Sequence, residues 1–264
     1  MGKQKMADAF QKVLANGDKA FVPYIMAGDG GLENLEDQLK FLEDSGSTVV
    51  ELGIPFSDPV ADGPTIQAAG LRALEHGISL RQVLEKLKES SQTRTIPIVL
   101  MTYINPIYAL GIKDFARSCH ESGVDGLIIP DLPLEEESII ADDLKEYDIA
   151  LIRLAALTSP KERLVEIAKR TEGFLYAVTV TGTTGARSSF KENLAEHLQE
   201  LQKICEVPVL AGFGVSTPEH VEELTKSCDG VVVGSRIVEL LHQGDRQTIR
   251  ELIQSAKLSE KANS

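Results

Sequence analysis

The residue with the most chemistry to offer is Glu51, in the run VVELGIPFSDPVADGP from Val49 to Pro64. Val49, Val50 and Leu52 surround it, and a carboxylate in so apolar a stretch is costly unless it is paired or used. On the outer face of a strand it would need a basic partner. Pointing inward, it would have its pKa raised by desolvation, which equips it for general acid–base work near neutrality. Two more carboxylates, Asp58 and Asp62, follow in a loop rich in Pro and Gly, where a single Asp is equally a turn former or a helix cap. A calcium loop is excluded, because the alternating acidic pattern fails at Val60 and Pro59 stiffens the segment.

Three further segments carry possible chemistry. GFGVS at Gly212–Ser216 and GS at Gly234–Ser235 each end an apolar run, and SRIVELLHQG from Ser235 reads as a short helix. Its free N–H groups and dipole would supply positive potential for a phosphate. A lone GxG otherwise marks only a tight turn. TGTTGARSSF, from Thr181 to Phe190, is small and polar, as a lid would be, although a connection without function has the same composition. It is not a Walker loop, since no Gly-Lys-Ser/Thr follows its glycines. The five histidines (His76, His120, His197, His220, His242) lack metal-ligand spacing, so no metal site is expected. Lysine is absent from the C-terminal ends of the apolar runs, which removes Schiff-base chemistry. Carboxylates and a phosphate cradle remain, with Tyr103 and Tyr176 as helpers.

Such groups need a scaffold, and the sequence repeats one eight times. Apolar, β-branched runs begin near Lys19, Thr48, Ile96, Gly126, Ile149, Phe174, Pro208 and Gly230. Amphipathic helical stretches alternate with them, among them Leu32–Gly46, Glu135–Tyr147 and Glu192–Glu206. Ser159-Pro160 with Glu162 reads as a capping box, Thr217-Pro218 as a second helix start, and Gly46, Gly77, Gly123 and Gly173 as helix ends. Runs that are continuously apolar predict strands buried on both faces, paired in parallel through crossover helices. Eight units predict an α/β fold of (β/α)8 TIM-barrel type, with short extra helices, one of them between Gly77 and Thr95. An open doubly wound sheet is the alternative. No linker divides the chain, so residues 1–264 read as a single domain.

Composition narrows the partners. The 264 residues are 42% hydrophobic, and Lys plus Arg at 27 against Asp plus Glu at 40 leaves a net charge of −13. So acidic a surface repels nucleic acid and anionic membranes. Three scattered cysteines suit a reducing cytoplasm, and no apolar run approaches the ~18 residues of a membrane span.

Together, ELGIPFSDPVADGP from Glu51, the NP at Asn105-Pro106, PDLP at Pro130–Pro133, TGTTGAR, GFGVS and VGS resemble the tryptophan synthase α-subunit family, in order and over essentially the whole chain. The resemblance implies a lyase that cleaves indole-3-glycerol phosphate to indole and glyceraldehyde 3-phosphate by a retro-aldol reaction. It assigns the catalytic carboxylates to Glu51 and Asp62 and an active-site tyrosine to Tyr176. The phosphate contacts fall on Gly185, Phe213, Gly214, Gly234 and Ser235, and the lid on Thr184 and Arg187, with Val180 where the family often has a basic residue. Phe21, Leu100, Tyr103 and Ile128 are expected, by position, to line an apolar indole pocket.

The resemblance also implies a β subunit as partner in an α2β2 heterotetramer, with pyridoxal phosphate in that subunit and no cofactor in this chain. Asp58, Pro59, Asn105 and Pro133 are expected at the interface. The competing readings are a stand-alone indole-releasing lyase, another phosphosugar enzyme on the same barrel, and a non-catalytic activating subunit.

Overall fold

The apolar runs form parallel strands that close on themselves. The structure is a computed structural model describing residues 2–156, 158–179, 187–212 and 214–257, with only the backbone of 187–193. Its strands are β1 (Ala20–Met26), β2 (Val50–Gly53), β3 (Ile98–Met101), β4 (Gly126–Ile128), β5 (Ala150–Leu151), β6 (Arg153–Ala156), β7 (Leu175–Val178), β8 (Val209–Gly212) and β9 (Gly230–Val233). They lie in the order β5-β4-β3-β2-β1-β9-β8-β7-β6. Only Ile152 separates the two end strands, so β5 and β6 are halves of one barrel strand and the fold is a TIM barrel.

The fifth run divides because each half pairs with a different neighbour, β5 with β4 and β6 with β7. At the junction side chains replace the ladder. The Glu172 carboxylate accepts from Leu151 N–H at 2.9 Å, and Thr171 Oγ1 accepts from Arg153 N–H at 3.1 Å.

Alternation along each strand sorts residues into two cores. Val22, Val99, Ile128, Tyr176, Leu210 and Val232 point into the barrel. Phe21, Leu52, Leu100, Leu127 and Val231 point outward, into the layer shared with the helices. The bottom of the barrel is plugged by helix Gly2–Ala15, whose Met6 and Phe10 are buried in the interior cluster, with the Phe10 ring 5.7 Å from that of Phe174. The N-terminal residues do not announce this helix in the sequence, because just two of its side chains are buried and it makes no broad apolar stripe.

Helix starts follow local chemistry. Thr217 caps helix Pro218–Thr225 by accepting from His220 N–H, and the extra helix after the second unit, Leu80–Glu89, has a capping box of Ser79 and Gln82. The box expected at Ser159 is not formed. That helix begins at Lys161 with Pro160 in the cap position, and Pro160 offers no side-chain acceptor. Gly46, Gly77 and Gly123 close their helices at φ of +97°, +71° and +68°, a region that side chains disfavour. No helix among the described residues is long and apolar enough to cross a membrane.

Candidate active site

The C-terminal mouth of the barrel is built around Glu51. In β2 it is paired in register with Tyr24 of β1 and Val99 of β3, so it shares the inward face with both. It is 1% exposed, and its Oε2 has no hydrogen-bond partner. Burial, helped by the like charge of Asp62, pushes its pKa up to about 8. No basic side chain pairs with it among the described residues, so the outward, ion-paired alternative does not hold.

Asp62 is half-buried at the end of the loop that follows β2. Burial raises its pKa to about 6, against a hydrogen bond from the Tyr103 hydroxyl that favours the ionised form. The two carboxylates thus titrate apart, so that near neutrality one holds a proton while the other is charged.

Tyrosines wall this pair. Tyr24 and Tyr176 are buried, and their hydroxyls are held neutral by burial and by the nearby carboxylates, Asp62 and Glu51 beside Tyr24 and Glu51 beside Tyr176. Each ring lies over a glycine on the next strand. A Cβ on Gly53 would collide with the Tyr24 hydroxyl, and one on Gly212 with the Tyr176 ring. Only glycine leaves room for these rings where they lie. Burial also raises the pKa of Tyr103, whose hydroxyl accepts from Ala61 N–H at 3.0 Å.

Of the four residues expected to line an indole pocket, Ile128 and Tyr103 lie with the site, Ile128 inside the barrel and Tyr103 against Asp62. Phe21 and Leu100 do not. They occupy outward positions of β1 and β3 and pack with the helices, which corrects the expectation. Their place is taken by inward neighbours, Tyr24 on β1 and Met101 on β3, the latter packed against the interior cluster. A shift of one residue along a strand reverses its face, which positional matching does not detect. Counting alternation from Val22 would have found Tyr24.

Beyond β1 in the strand order lie the glycine-rich ends of β9 and β8. Gly214 has a φ of +78°, and Gly234 precedes helix Ser235–Gln243, with Ser235 exposed at its first turn. The first N–H groups of that helix have no acceptor within it and can meet a phosphate. Thr179 ties the end of β7 to this side, its hydroxyl donating to Gly212 O at 2.6 Å. Thr184, Gly185, Phe213 and Val180 lie outside the described residues, as does the side chain of Arg187. Among the described residues no group of three His, Cys, Asp or Glu side chains is placed to hold a metal ion.

On the rim of the same face, Asp58, Asn105 and Pro133 are exposed and Pro59 is half-buried, while Val60 is 82% exposed.

Comparison with known proteins gives this geometry a setting. The family profile described as tryptophan synthase alpha chain matches residues 10–264. A tryptophan synthase alpha chain from Oceanobacillus iheyensis is 56% identical over 257 residues, covering 97% of this chain and 98% of that protein. One from Bacillus cereus strain G9842 is 53% identical over 262 residues, covering 99% and 100%. Among solved structures, the tryptophan synthase alpha chain of Legionella pneumophila subsp. pneumophila superposes with a TM-score of 0.85 at 32% identity, covering 96% of this chain and 97% of that one. A ligand-free tryptophan synthase chain from M. tuberculosis does so with a TM-score of 0.86 at 29% identity, covering 96% and 99%.

Proposed function

The chain belongs to the tryptophan synthase α-chain family, whose reaction cleaves indole-3-glycerol phosphate to indole and glyceraldehyde 3-phosphate, and we propose that Glu51 and Asp62 carry that reaction here. The observation that carries the proposal is a fully buried carboxylate with an unpartnered oxygen, beside a second carboxylate that stays charged at neutral pH.

The chemistry follows from those two states. Protonated Glu51 delivers its proton to carbon 3 of the indole ring, leaving a cationic indolenine whose ring N–H is stabilised by ionised Asp62. The Glu51 carboxylate then takes the proton from the adjacent hydroxyl. As that oxygen becomes an aldehyde, the carbon–carbon bond breaks and its electrons return to the ring, releasing indole. Glu51 ends the cycle protonated, so neither a metal nor an imine is needed. Ile128, Tyr24 and Tyr176 border the ring. Gly214, Gly234 and Ser235, with Gly185 and Phe213, hold the phosphate, and Thr184 and Arg187 belong to a lid. Remote phosphate binding fixes orientation at the reacting carbon.

The proposal extends to a partner. Indole is small and apolar and would leak from the cytoplasm, so an enzyme that releases it gains by passing it on directly. A β subunit holding pyridoxal phosphate, in an α2β2 heterotetramer, would dock on the mouth, where Asp58, Pro59, exposed Val60, Asn105 and Pro133 form the rim. Because Asp62 ends the rim loop, docking positions it.

The test is indole formation from indole-3-glycerol phosphate by the chain alone and with its β subunit. Slow release alone and faster release in the complex are expected. No indole in either case overturns the proposal, and a complex without rate change leaves a stand-alone lyase.

A further inference from the structure

We propose that Tyr103 is a positioning residue for the lyase reaction, one that ties both ends of the loop after β2 to the barrel and aims Asp62. The inference rests on Asp62 being the ionised carboxylate of the site.

One side chain makes three contacts with this loop. The Tyr103 hydroxyl accepts from Ala61 N–H at 3.0 Å and faces the Asp62 carboxylate, whose ionised form it favours. Its ring stacks on Phe56, with centroids 5.2 Å apart and an interplanar angle of 29°. Phe56 and Ala61 bracket the rim stretch that contains Asp58 and Val60, so Tyr103 holds the loop where it leaves the barrel and where it returns. Within the loop, Val60 N–H donates to Asp58 O at 2.9 Å and Asp62 N–H to Pro59 O at 3.1 Å. Those bonds make the loop a compact turn, and Gln67 Nε2 donates to Asp62 O at 2.8 Å from the following helix, but none of these bonds reaches the barrel strands. Tyr103 can fix it because it is itself anchored. It is 2% exposed, and the next residue's N–H, of Ile104, is held by Asp131 Oδ1 at 3.0 Å.

The same contact sets the charge on Asp62. The titratable groups acting around it are Glu51 on β2, Tyr24 on β1 and Tyr103 itself, with Asp131 acting on Tyr103. Burial favours protonated Asp62, Glu51 is a like charge whenever it ionises, and the Tyr103 hydroxyl favours the ionised form. Removing the hydroxyl therefore moves the Asp62 titration up. An ångström of loop tilt would separate Asp62 from the ring N–H it must meet.

Tyr103→Phe in the full chain keeps the ring and its stack while deleting the hydroxyl. In this variant kcat/KM at pH 7 is expected to fall about tenfold, the worth of one hydrogen bond to a charged group, mostly in kcat. The acidic limb of the kcat/KM profile moves to higher pH. Amide exchange at Ala61 accelerates about tenfold or more as its N–H loses an acceptor, a readout independent of any reaction. Unchanged exchange at Ala61 overturns the tie, and faster exchange with an unmoved acidic limb leaves Tyr103 a structural prop and overturns its positioning role. If Tyr103→Phe does not fold, Phe56→Leu loosens the other end of the tie. A smaller fall in kcat with the limb shifted the same way supports the proposal, and native behaviour overturns it. Near-native turnover in Asp62→Asn would instead remove the reading of Asp62 itself, and the Ala61 exchange result would stand apart from it.

Discussion

Two buried carboxylates mark the two ends of this barrel, Glu51 at the mouth and Asp125 at the base. Asp125 is 4% exposed, and its Oδ2 accepts from Ile98 N–H at 2.9 Å and from Lys5 Nζ at 3.3 Å. Burial raises its pKa, but Lys5, the Ile98 N–H and Arg94 all pull it back down. Glu51 is more deeply buried, keeps an oxygen without a partner, and has another carboxylate as its charged neighbour. A fold tolerates such a cost where a substrate will use the group. Burial of a carboxylate is thus a poor guide to its job, and the identity of its partners is a good one.

The sharpest way to break that contrast is to neutralise each end. Glu51→Gln is expected to lose at least ~10² in lyase rate, the usual contribution of general acid–base catalysis, with stability unchanged or raised. Asp125→Ala is expected to cost about 2–3 kcal/mol of unfolding free energy by orphaning its donors, with the lyase rate of the folded protein retained. Steady-state kinetics and denaturant unfolding on both variants decide the matter, and a rate loss at Asp125 matching that at Glu51 would erase the distinction.

Titration sharpens it further. If Asp62 works ionised and Glu51 protonated, kcat/KM should rise through about pH 6 and fall through about pH 8. Linkage supplies a second reading. The Glu51 pKa is raised on folding, so between the ordinary carboxylate range and about 8 the unfolded chain releases a proton that the folded chain keeps. Stability contributed by this group therefore declines as pH rises through that window, and Glu51→Gln should flatten the decline in urea midpoints.

The smallest expected effects come from a glycine at each end. Gly53→Ala displaces the Tyr24 ring from its seat beside Glu51 and should reduce lyase rate about tenfold, within the range expected for sub-ångström misplacement. At the base, a Cβ on Gly126 would lie 2.6 Å from Ile152 Cδ1 and 3.0 Å from Met6 Cε. Gly126→Ala should cost about 1–3 kcal/mol by overpacking while sparing the rate of the folded fraction. A urea titration and an indole assay on the pair separate the two outcomes.

Much of this was legible from residue order. Eight apolar runs separated by helical stretches implied the barrel, and Glu51 inside one of them implied a costly carboxylate, because periodicity and burial are local properties of the chain. The Ser159 signal misleads for a local reason too, since a start signal does not say which residue takes the first helical angles. Phe21 and Leu100 face outward, against expectation, because facing depends on strand register, where one residue reverses inside and outside. The inward position of Tyr24 is hidden in the sequence for the same reason.

The sequence alone therefore determined the fold class, the costly carboxylate of Glu51 and the glycine-rich ends of the last two apolar runs, each written in short-range pattern, while Asp62 was singled out only by the family resemblance. Only the tertiary structure decided which side chains meet. The Tyr103 tie to Phe56 and Ala61, the tyrosine seats on Gly53 and Gly212, and the contrast between Asp125 with its donors and Glu51 without them all join residues from separate strands, loops and helices. Their distances and ionisation arise from barrel closure, which brings together groups that no local stretch of chain relates.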